Sequence, residues 1–394
     1  MNLTRREFIQ RAPVLVGAGV MAATWATSVA RAADEKTRLA LGPSEAAAPL
    51  LFQNAQLHNI DHIEPNLGAE GVRLNRIPRE VWAKLNSMGK TRAYAAAGAE
   101  LRFNLLGPEA RVFLRYVENR GGKAQGWPVL AELYQGGILM RCVEFRETWT
   151  EIVIKRPSNL AKLSEEAAGR GTSGFDSALV RLALPYMPET QILRIDGDIA
   201  PPRADQVPAR SYLAYGSSIT HGSYALRAGE TYPAQVGRAL DVNAFNLGLG
   251  AAAYLEPEMA QWIASRRDWD FASLELGVNL LRPITTEEFA RRVHTFLHTI
   301  VGAHPRRPIF VIDIFTSGKE LEANPKRAEF RQVVRDAVVE LKSEYVHHLD
   351  GRSLFTKTSG LCFDLLHPSS DGFNEIADRL EDEMRPKLRS LFRL

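Results

Sequence analysis

Between residues 45 and 200, apolar and polar positions alternate with period two in short runs, among them Leu101-Arg102-Phe103-Asn104-Leu105 and Arg111-Val112-Phe113-Leu114-Arg115-Tyr116. Gly, Pro and Asn punctuate these runs, which is the pattern of half-buried strands separated by turns. Further candidate strands cover Val129 to Tyr134, Ile138 to Phe145, Glu151 to Lys155, Leu179 to Leu184 and Ile192 to Ile195. Many short strands in succession predict a β-sandwich of jelly-roll type. Leu163 to Asp176 breaks the rhythm and reads as a loop or short helix. Residues 201–209, with Pro201, Pro202 and Pro208, read as a linker. The rhythm then changes. Apolar runs of strand length (Tyr212 to Tyr215, Ala244 to Leu247, Phe271 to Leu276, Ile309 to Ile314, Tyr345 to Leu349) alternate with helical stretches near Tyr232 to Leu240, Glu256 to Ser265, Glu287 to Ala303, Lys326 to Lys342 and Ser370 to Leu391. Continuous apolar strands alternating with helices predict an α/β domain over 210–394, built on a doubly wound parallel sheet.

The first 32 residues stand apart. Residues 12–30 carry no charge, follow a basic start and precede Ala30-Arg31-Ala32, a small-x-small cleavage pattern. The segment Thr4-Arg5-Arg6-Glu7-Phe8-Ile9 resembles a twin-arginine export signal. The resemblance implies a bacterial protein carried folded by the twin-arginine machinery to the periplasm or beyond. The competing reading is a membrane anchor, but two Gly and one Pro in nineteen residues make a poor spanning helix, so no stable insertion is expected after processing. The chain of 394 residues is 45% hydrophobic, enough for two cores, and its formal net charge of +3 resides entirely in the segment 1–32. A neutral body lacks the field that nucleic-acid phosphates require. Two cysteines, Cys142 and Cys362, exclude a disulfide scaffold and leave either one bridge or two isolated buried thiols.

In doubly wound sheets reactive groups gather beyond the carboxyl ends of the strands. Four blocks sit there: Gly216-Ser217-Ser218-Ile219-Thr220-His221-Gly222, Asn246-Leu247-Gly248-Leu249-Gly250-Ala251, Gly277-Val278-Asn279, and Asp364-Leu365-Leu366-His367-Pro368 before the last helix. They supply a hydroxyl, a loop of backbone N–H donors, an amide, and an acid three residues before an imidazole. A serine needs a base to take its proton, and the imidazole needs a carboxylate on its other nitrogen. Ser218, His367 and Asp364 can fill those roles, with the N–H of Ser218, a loop N–H between Gly248 and Ala251, and the Asn279 amide facing the oxyanion. Each signal alone is weak: Gly171-Thr172-Ser173 is also Gly-x-Ser, and an Asp near a helix start commonly caps it. Their conjunction carries the reading.

These four blocks, in this order, resemble the SGNH subset of the GDSL esterase/lipase superfamily over roughly residues 210–394, the Gly-Asp-Ser-Leu block standing here as Gly216-Ser217-Ser218-Ile219. The strings Tyr215 to Gly222, Asn246 to Glu258 and Asp364 to Gly372 resemble the branch with an N-terminal β-sandwich, which includes carbohydrate esterases and some acyltransferases. The resemblance implies Ser218 as nucleophile, Asp364 and His367 as the other triad members, and Ser218, Ala251 and Asn279 around the oxyanion, with no cofactor and no metal. Two positions depart from the family pattern. Its second-block glycine falls on Ala251, with Gly250 as the neighbouring alternative, and the aspartate after its third-block asparagine is Leu280. Thr220 replaces the last glycine of a Gly-x-Ser-x-Gly elbow, which disfavours an α/β-hydrolase. His58 with His62 and His294 with His298 have metal-compatible spacing without a His-Glu-x-x-His pattern and read as packed or solvated side chains, as does His347-His348. His221 reads as lying behind the site. Tyr224, Tyr254 and Trp262 could flank a substrate or only pack. The expected function is hydrolysis of short acyl esters, O-acetyl groups on carbohydrate by branch resemblance. The alternatives are acyl transfer with the same triad, or a non-catalytic glycan-binding protein.

Overall fold

The computed structural model describes residues 48–118, 128–144, 146–169, 174–321 and 325–392. The expected signal segment and the Gly171-Thr172-Ser173 triplet lie outside the described residues. Both sheets lie in one compact unit, Pro43–Arg385.

The first ten strands are β1 (Leu51–Phe52), β2 (Ala55–His58), β3 (His62–Pro65), β4 (Val72–Asn75), β5 (Glu100–Val117), β6 (Leu130–Gln135), β7 (Ile138–Glu144), β8 (Thr150–Lys155), β9 (Leu179–Ala183) and β10 (Glu189–Ala200). Helices α1 (Arg79–Trp82) and α2 (Ser87–Arg92) separate β4 from β5, and α3 (Leu160–Gly169) precedes β9. All ten strands join in one mainly antiparallel sheet. The two runs expected at 101–105 and 111–116 are one strand, β5, because β10 pairs along almost its whole length and spans the Gly107-Pro108 interruption. The first part of β5 pairs with β9, the second with β8. Alternate residues Leu101, Phe103, Val112 and Leu114 of β5 meet Ile152, Val180 and Ile192 in the first core. The stretch 163–176 begins as the end of α3, and 201–209 holds a short 3-10 turn at Ala204–Gln206.

Next come β11 (Ser211–Gly216), α4 (Ser218–His221), α5 (Tyr232–Ala239), β12 (Asn243–Gly248), α6 (Pro257–Ser265), β13 (Phe271–Glu275), α7 (Thr286–Ala303), β14 (Ile309–Ile312), α8 (Pro325–Glu340), β15 (Val346–Leu349), α9 (Gly351–Leu354) and α10 (Ser370–Phe392). Strands β11 to β15 form a wholly parallel sheet in the order β12-β11-β13-β14-β15. The order reverses at β11, so the crevice of a doubly wound sheet opens beyond Gly216. Helix α7 shows why these segments are helical. Phe289, Val293, Phe296, Leu297 and Ile300 recur at three- and four-residue spacing on its buried face, and the Thr285 hydroxyl accepts from the Glu288 N–H at its start. Ile77, Val81, Leu85 and Ala93, from the stretch between β4 and β5, belong to this second core. Among the described residues no helix is long and apolar enough to cross a membrane. Both cysteines are free; Cys142 is exposed, a departure from the buried pair of thiols considered above, because its strand β7 is exposed along nearly its whole length.

Candidate active site

Strand β11 ends at Gly216, and Ser217 caps helix α4, its hydroxyl accepting the Ile219 N–H at 3.2 Å. Ser218 is therefore the first helical residue at the switch point, partly open to solvent. Two glycines allow this turn. A Cβ on Gly216 would meet Glu275 Oε2 at 2.5 Å, and one on Gly248 would strike the His221 backbone nitrogen. The buried Glu275 carboxylate accepts from the Ser217 N–H at 2.6 Å and the Thr220 hydroxyl at 3.1 Å. Burial raises its pKa, opposed by these hydrogen bonds. His221, fully buried, donates from Nδ1 to the Gly248 carbonyl at 2.9 Å and so ties the nucleophile helix to the end of β12. Burial, with Arg76 and Arg92 adding, holds its pKa far below the usual imidazole value.

The other half of the site is the loop before α10. Asp364 Oδ1 accepts the backbone N–H groups of Leu366 and His367, each at 3.0 Å, and its Oδ2 accepts from His367 Nδ1 at 2.6 Å. The Leu361–Pro368 bridge and the bond from Cys362 N–H to the His367 carbonyl close this loop. Burial alone would raise the Asp364 carboxyl, but the hydrogen bonds from His367 and Leu366 outweigh it and hold it below the ordinary carboxylate value. An ionised carboxylate only accepts, so Nδ1 carries the proton and Nε2 is left as a base. Nε2 lies 2.7 Å from Ser218 Oγ and accepts its proton. The structure thus strings Ser218, His367 and Asp364 into one hydrogen-bonded line, within the reach that proton transfer needs.

The residues expected around the oxyanion lie at the same end of the sheet. Ala251 has φ 60, a left-handed conformation that favours glycine, which explains why the family pattern has one there. A Cβ on Gly250 would come within 3.7 Å of Ser218 Cβ. Asn279 follows β13, and its Oδ1 accepts the Ala253 N–H at 3.1 Å, which leaves its NH2 group as the donor. Replacing Asn279 with alanine is expected to lower kcat roughly 100- to 1000-fold with little change in KM, the loss typical of one oxyanion donor. Steady-state hydrolysis of p-nitrophenyl acetate measures it, and an unchanged kcat removes Asn279 from that position.

Several residues that hold this loop were not singled out by the sequence pattern. Arg76, almost fully buried, donates to four carbonyls: Ala95 at 2.6 Å, Asn246 at 2.7 Å, Arg92 at 2.9 Å and Gly248 at 3.1 Å. Arg92 Nε donates to the Gly250 carbonyl at 3.3 Å, and the Asn86 amide to the Ala252 carbonyl at 3.1 Å and to Glu256 at 3.0 Å. The run from β12 to α6 is clamped by side chains from the β4–β5 stretch. The one available sequence signal for Glu275 was a carboxylate ending an otherwise nearly continuous apolar strand.

Of the aromatics, Tyr224 reaches the site: its ring lies 4.9 Å from that of His367 and 5.5 Å from the exposed Phe363. Tyr254 and Trp262 pack on the second core. His58 is buried against the Ala244 carbonyl, His62 binds Asp61 and Glu64, and His348 pairs with Asp313 at 2.9 Å. His294 and His298 stack at 4.0 Å beside Glu340, exposed and with ligand atoms within 4.8 Å of one another.

A parallel sheet of this order thus carries a serine–histidine–aspartate line at its switch point. Residues 210–385 match the model of the GDSL-like Lipase/Acylhydrolase family, so this part of the chain is similar to that family. Among solved structures the fold is similar to a salicylyl-acyltransferase, SsfX3, from a tetracycline biosynthetic pathway (TM-score 0.68, 20% identity, 86% of this chain and 96% of that one). It is also similar to a protein described as a GDSL-like lipase from Bacteroides ovatus (0.62, 20%, 80% and 92%). A family two carbohydrate esterase from Cellvibrio japonicus is similar as well (0.57, 13%, 87% and 98%). At these identities the likeness is one of fold. No curated protein matches the chain in sequence.

Proposed function

We propose that the chain is an SGNH-type serine esterase that removes short acyl groups, O-acetyl groups on carbohydrate foremost, through an acyl-enzyme. The observation that carries the reading is the His367 ring held between Asp364 Oδ2 at 2.6 Å and Ser218 Oγ at 2.7 Å. Ser218 Oγ attacks the ester carbonyl while Nε2 takes its proton. The N–H groups of Ser218 and Ala251 and the Asn279 amide receive the oxyanion, and His367 then protonates the leaving alcohol. Water, deprotonated by the same nitrogen, releases the acid and restores the serine. Asp364 keeps Nδ1 protonated and offsets the imidazolium charge. Carbohydrate is favoured by the esterase named among the similar folds and by the Tyr224–Phe363 pair beside His367, a face on which a sugar ring can lie. The antiparallel region, read as a sandwich, supports the catalytic half, and export by the twin-arginine route places the enzyme where polysaccharide is met.

The similar fold of an acyltransferase supports a second reading, in which an alcohol takes the acyl group from Ser218. One assay separates the two. The protein is supplied with p-nitrophenyl esters of increasing chain length and acetylated xylan, with and without glycerol, and products are quantified by mass spectrometry. Hydrolysis predicts free acid in constant yield and fastest turnover of acetyl; a product ester that rises with glycerol at the expense of acid assigns transfer, and no turnover of any ester refutes both.

A further inference from the structure

A cavity of about 410 Å³ lies between the antiparallel sheet and helix α5, and none of Ser218, Ala251, Asn279, Asp364 or His367 lines it. Its wall carries a group of charges that the serine chemistry does not use. Glu100 Oε2 accepts from Arg102 Nε at 2.7 Å and from Arg181 Nε at 2.8 Å, and its Oε1 accepts a further bond from Arg181 at 2.5 Å. Arg181 also donates to the Gly136 carbonyl at 3.0 Å, and its guanidinium lies 3.6 Å over the Phe175 ring. That guanidinium is fully engaged. Arg102 is less so: its guanidinium lies 4.8 Å over the same Phe175 ring, but it is only 2% exposed, it lines the cavity, and among the described residues no hydrogen bond takes its two terminal nitrogens.

Two guanidinium groups face one carboxylate on this wall, while over the whole lining Glu100, Glu166 and Asp241 balance Arg102, Arg181 and Arg238, so the local excess of positive charge sits at Arg102 and Arg181. Neighbouring His58 does not add to it, since burial pushes its pKa down to about 3. Glu166, Arg238 and Asp241 also line the cavity, but none is bonded to Arg102 among the described residues. A buried cation with two parallel N–H donors left over is matched by a carboxylate, which accepts both at once. Phe175, Ile138, Val242 and Ala183 make much of the remaining lining apolar. We propose that this cavity is a separate binding site for a small carboxylate with an apolar body, bound head-on to Arg102. The site stands on its own geometry and does not require Ser218 to be a nucleophile.

The test uses benzoate as probe and benzyl alcohol as its neutral counterpart, with the full chain blocked at the switch point by Ser218→Tyr, a side chain that fills that crevice whether or not Ser218 is a nucleophile. Isothermal titration is expected to show benzoate binding to the blocked protein and none for benzyl alcohol. Arg102→Gln is expected to weaken benzoate roughly 10-fold or more, the loss of a charged hydrogen-bond partner. Gly137→Leu is the second variant: Gly137 is an exposed residue of the cavity lining and a Cβ there meets nothing within 4 Å, so a leucine introduces no clash and, at the rim of the cavity, should weaken binding as well. If Arg102→Gln does not fold, Gly137→Leu decides. The proposal is overturned if the parent binds no benzoate, if binding disappears when Ser218 is blocked, if benzyl alcohol binds as well as benzoate, or if the folded variants retain the parent's affinity.

Discussion

Ser218→Ala is expected to lower ester turnover roughly a million-fold while leaving the melting temperature close to that of the parent. The size follows from the way the three groups act as one device. Without the hydroxyl there is no covalent intermediate, and what remains is binding plus the oxyanion donors, which in such enzymes still leave about a 1000- to 10,000-fold advantage over water. Stability should hold because among the described residues the hydroxyl makes one hydrogen bond, to His367 Nε2, at a partly solvated position where water can replace it. His367→Ala should cost about as much, and Ser218→Ala with His367→Ala no more than either, since the second change removes a partner that no longer has work. Asp364→Asn should cost roughly 10,000-fold, because an amide nitrogen facing Nδ1 stabilises the tautomer whose proton is on the wrong side. Initial rates with p-nitrophenyl acetate, beside thermal melts, decide it. A Ser218→Ala protein with the parent's turnover ends the reading, and additive losses in the double variant would mean that the two residues serve different steps.

The parts of this arrangement that the sequence disclosed are those fixed by local rules. Strands β11 to β15 were visible because a strand buried on both faces is continuously apolar, and the helices between them because their apolar residues recur every three or four positions. Ser218 and Asn279 stood out as polar residues placed just after such strands, and Asp364 with His367 as an acid three residues before an imidazole ahead of the last helix. What the sequence concealed depends on partners far along the chain. Strands β1 to β4 are two to four residues long, too short for alternation to register, and β1 to β3 are completed only by pairing with β2, β5 and β4. The break between residues 105 and 111 looked like a turn because Gly107 and Pro108 carry turn chemistry, yet β10 pairs on both sides of it. Most of all, residues 76–93 have no local mark that they fold against the loop leading to Ala251. Arg76 resembles any surface arginine until its four carbonyl partners, up to 172 positions away, are known.

That concealed clamp leads to the second large effect. Arg76→Leu is expected to lower unfolding free energy by about 3 kcal/mol or more and to reduce kcat in the protein that still folds. The stability loss comes from the carbonyls of Ala95, Asn246, Arg92 and Gly248, which Arg76 satisfies with one buried guanidinium and for which leucine offers no donor. Each carbonyl left unpaired away from water costs roughly 1–3 kcal/mol, partly recovered by relaxation or entering solvent. No carboxylate pairs with Arg76 among the described residues, and although burial with Arg92 adding pulls its pKa down to about 9, it remains charged at neutral pH. On the proposed mechanism it therefore sets a positive charge behind the loop that faces the substrate oxyanion of the tetrahedral intermediate, where a preorganised cation lowers the barrier. A role confined to positioning and field predicts a lower kcat at nearly constant KM, measured well below the melting transition. Arg76→Lys separates the two contributions: it keeps the charge but cannot span four carbonyls, so it should recover part of kcat and little stability. Equal stability and turnover in Arg76→Leu and the parent would show that the β12–α6 loop is held by other groups, with Arg92 and Asn86 the first to examine.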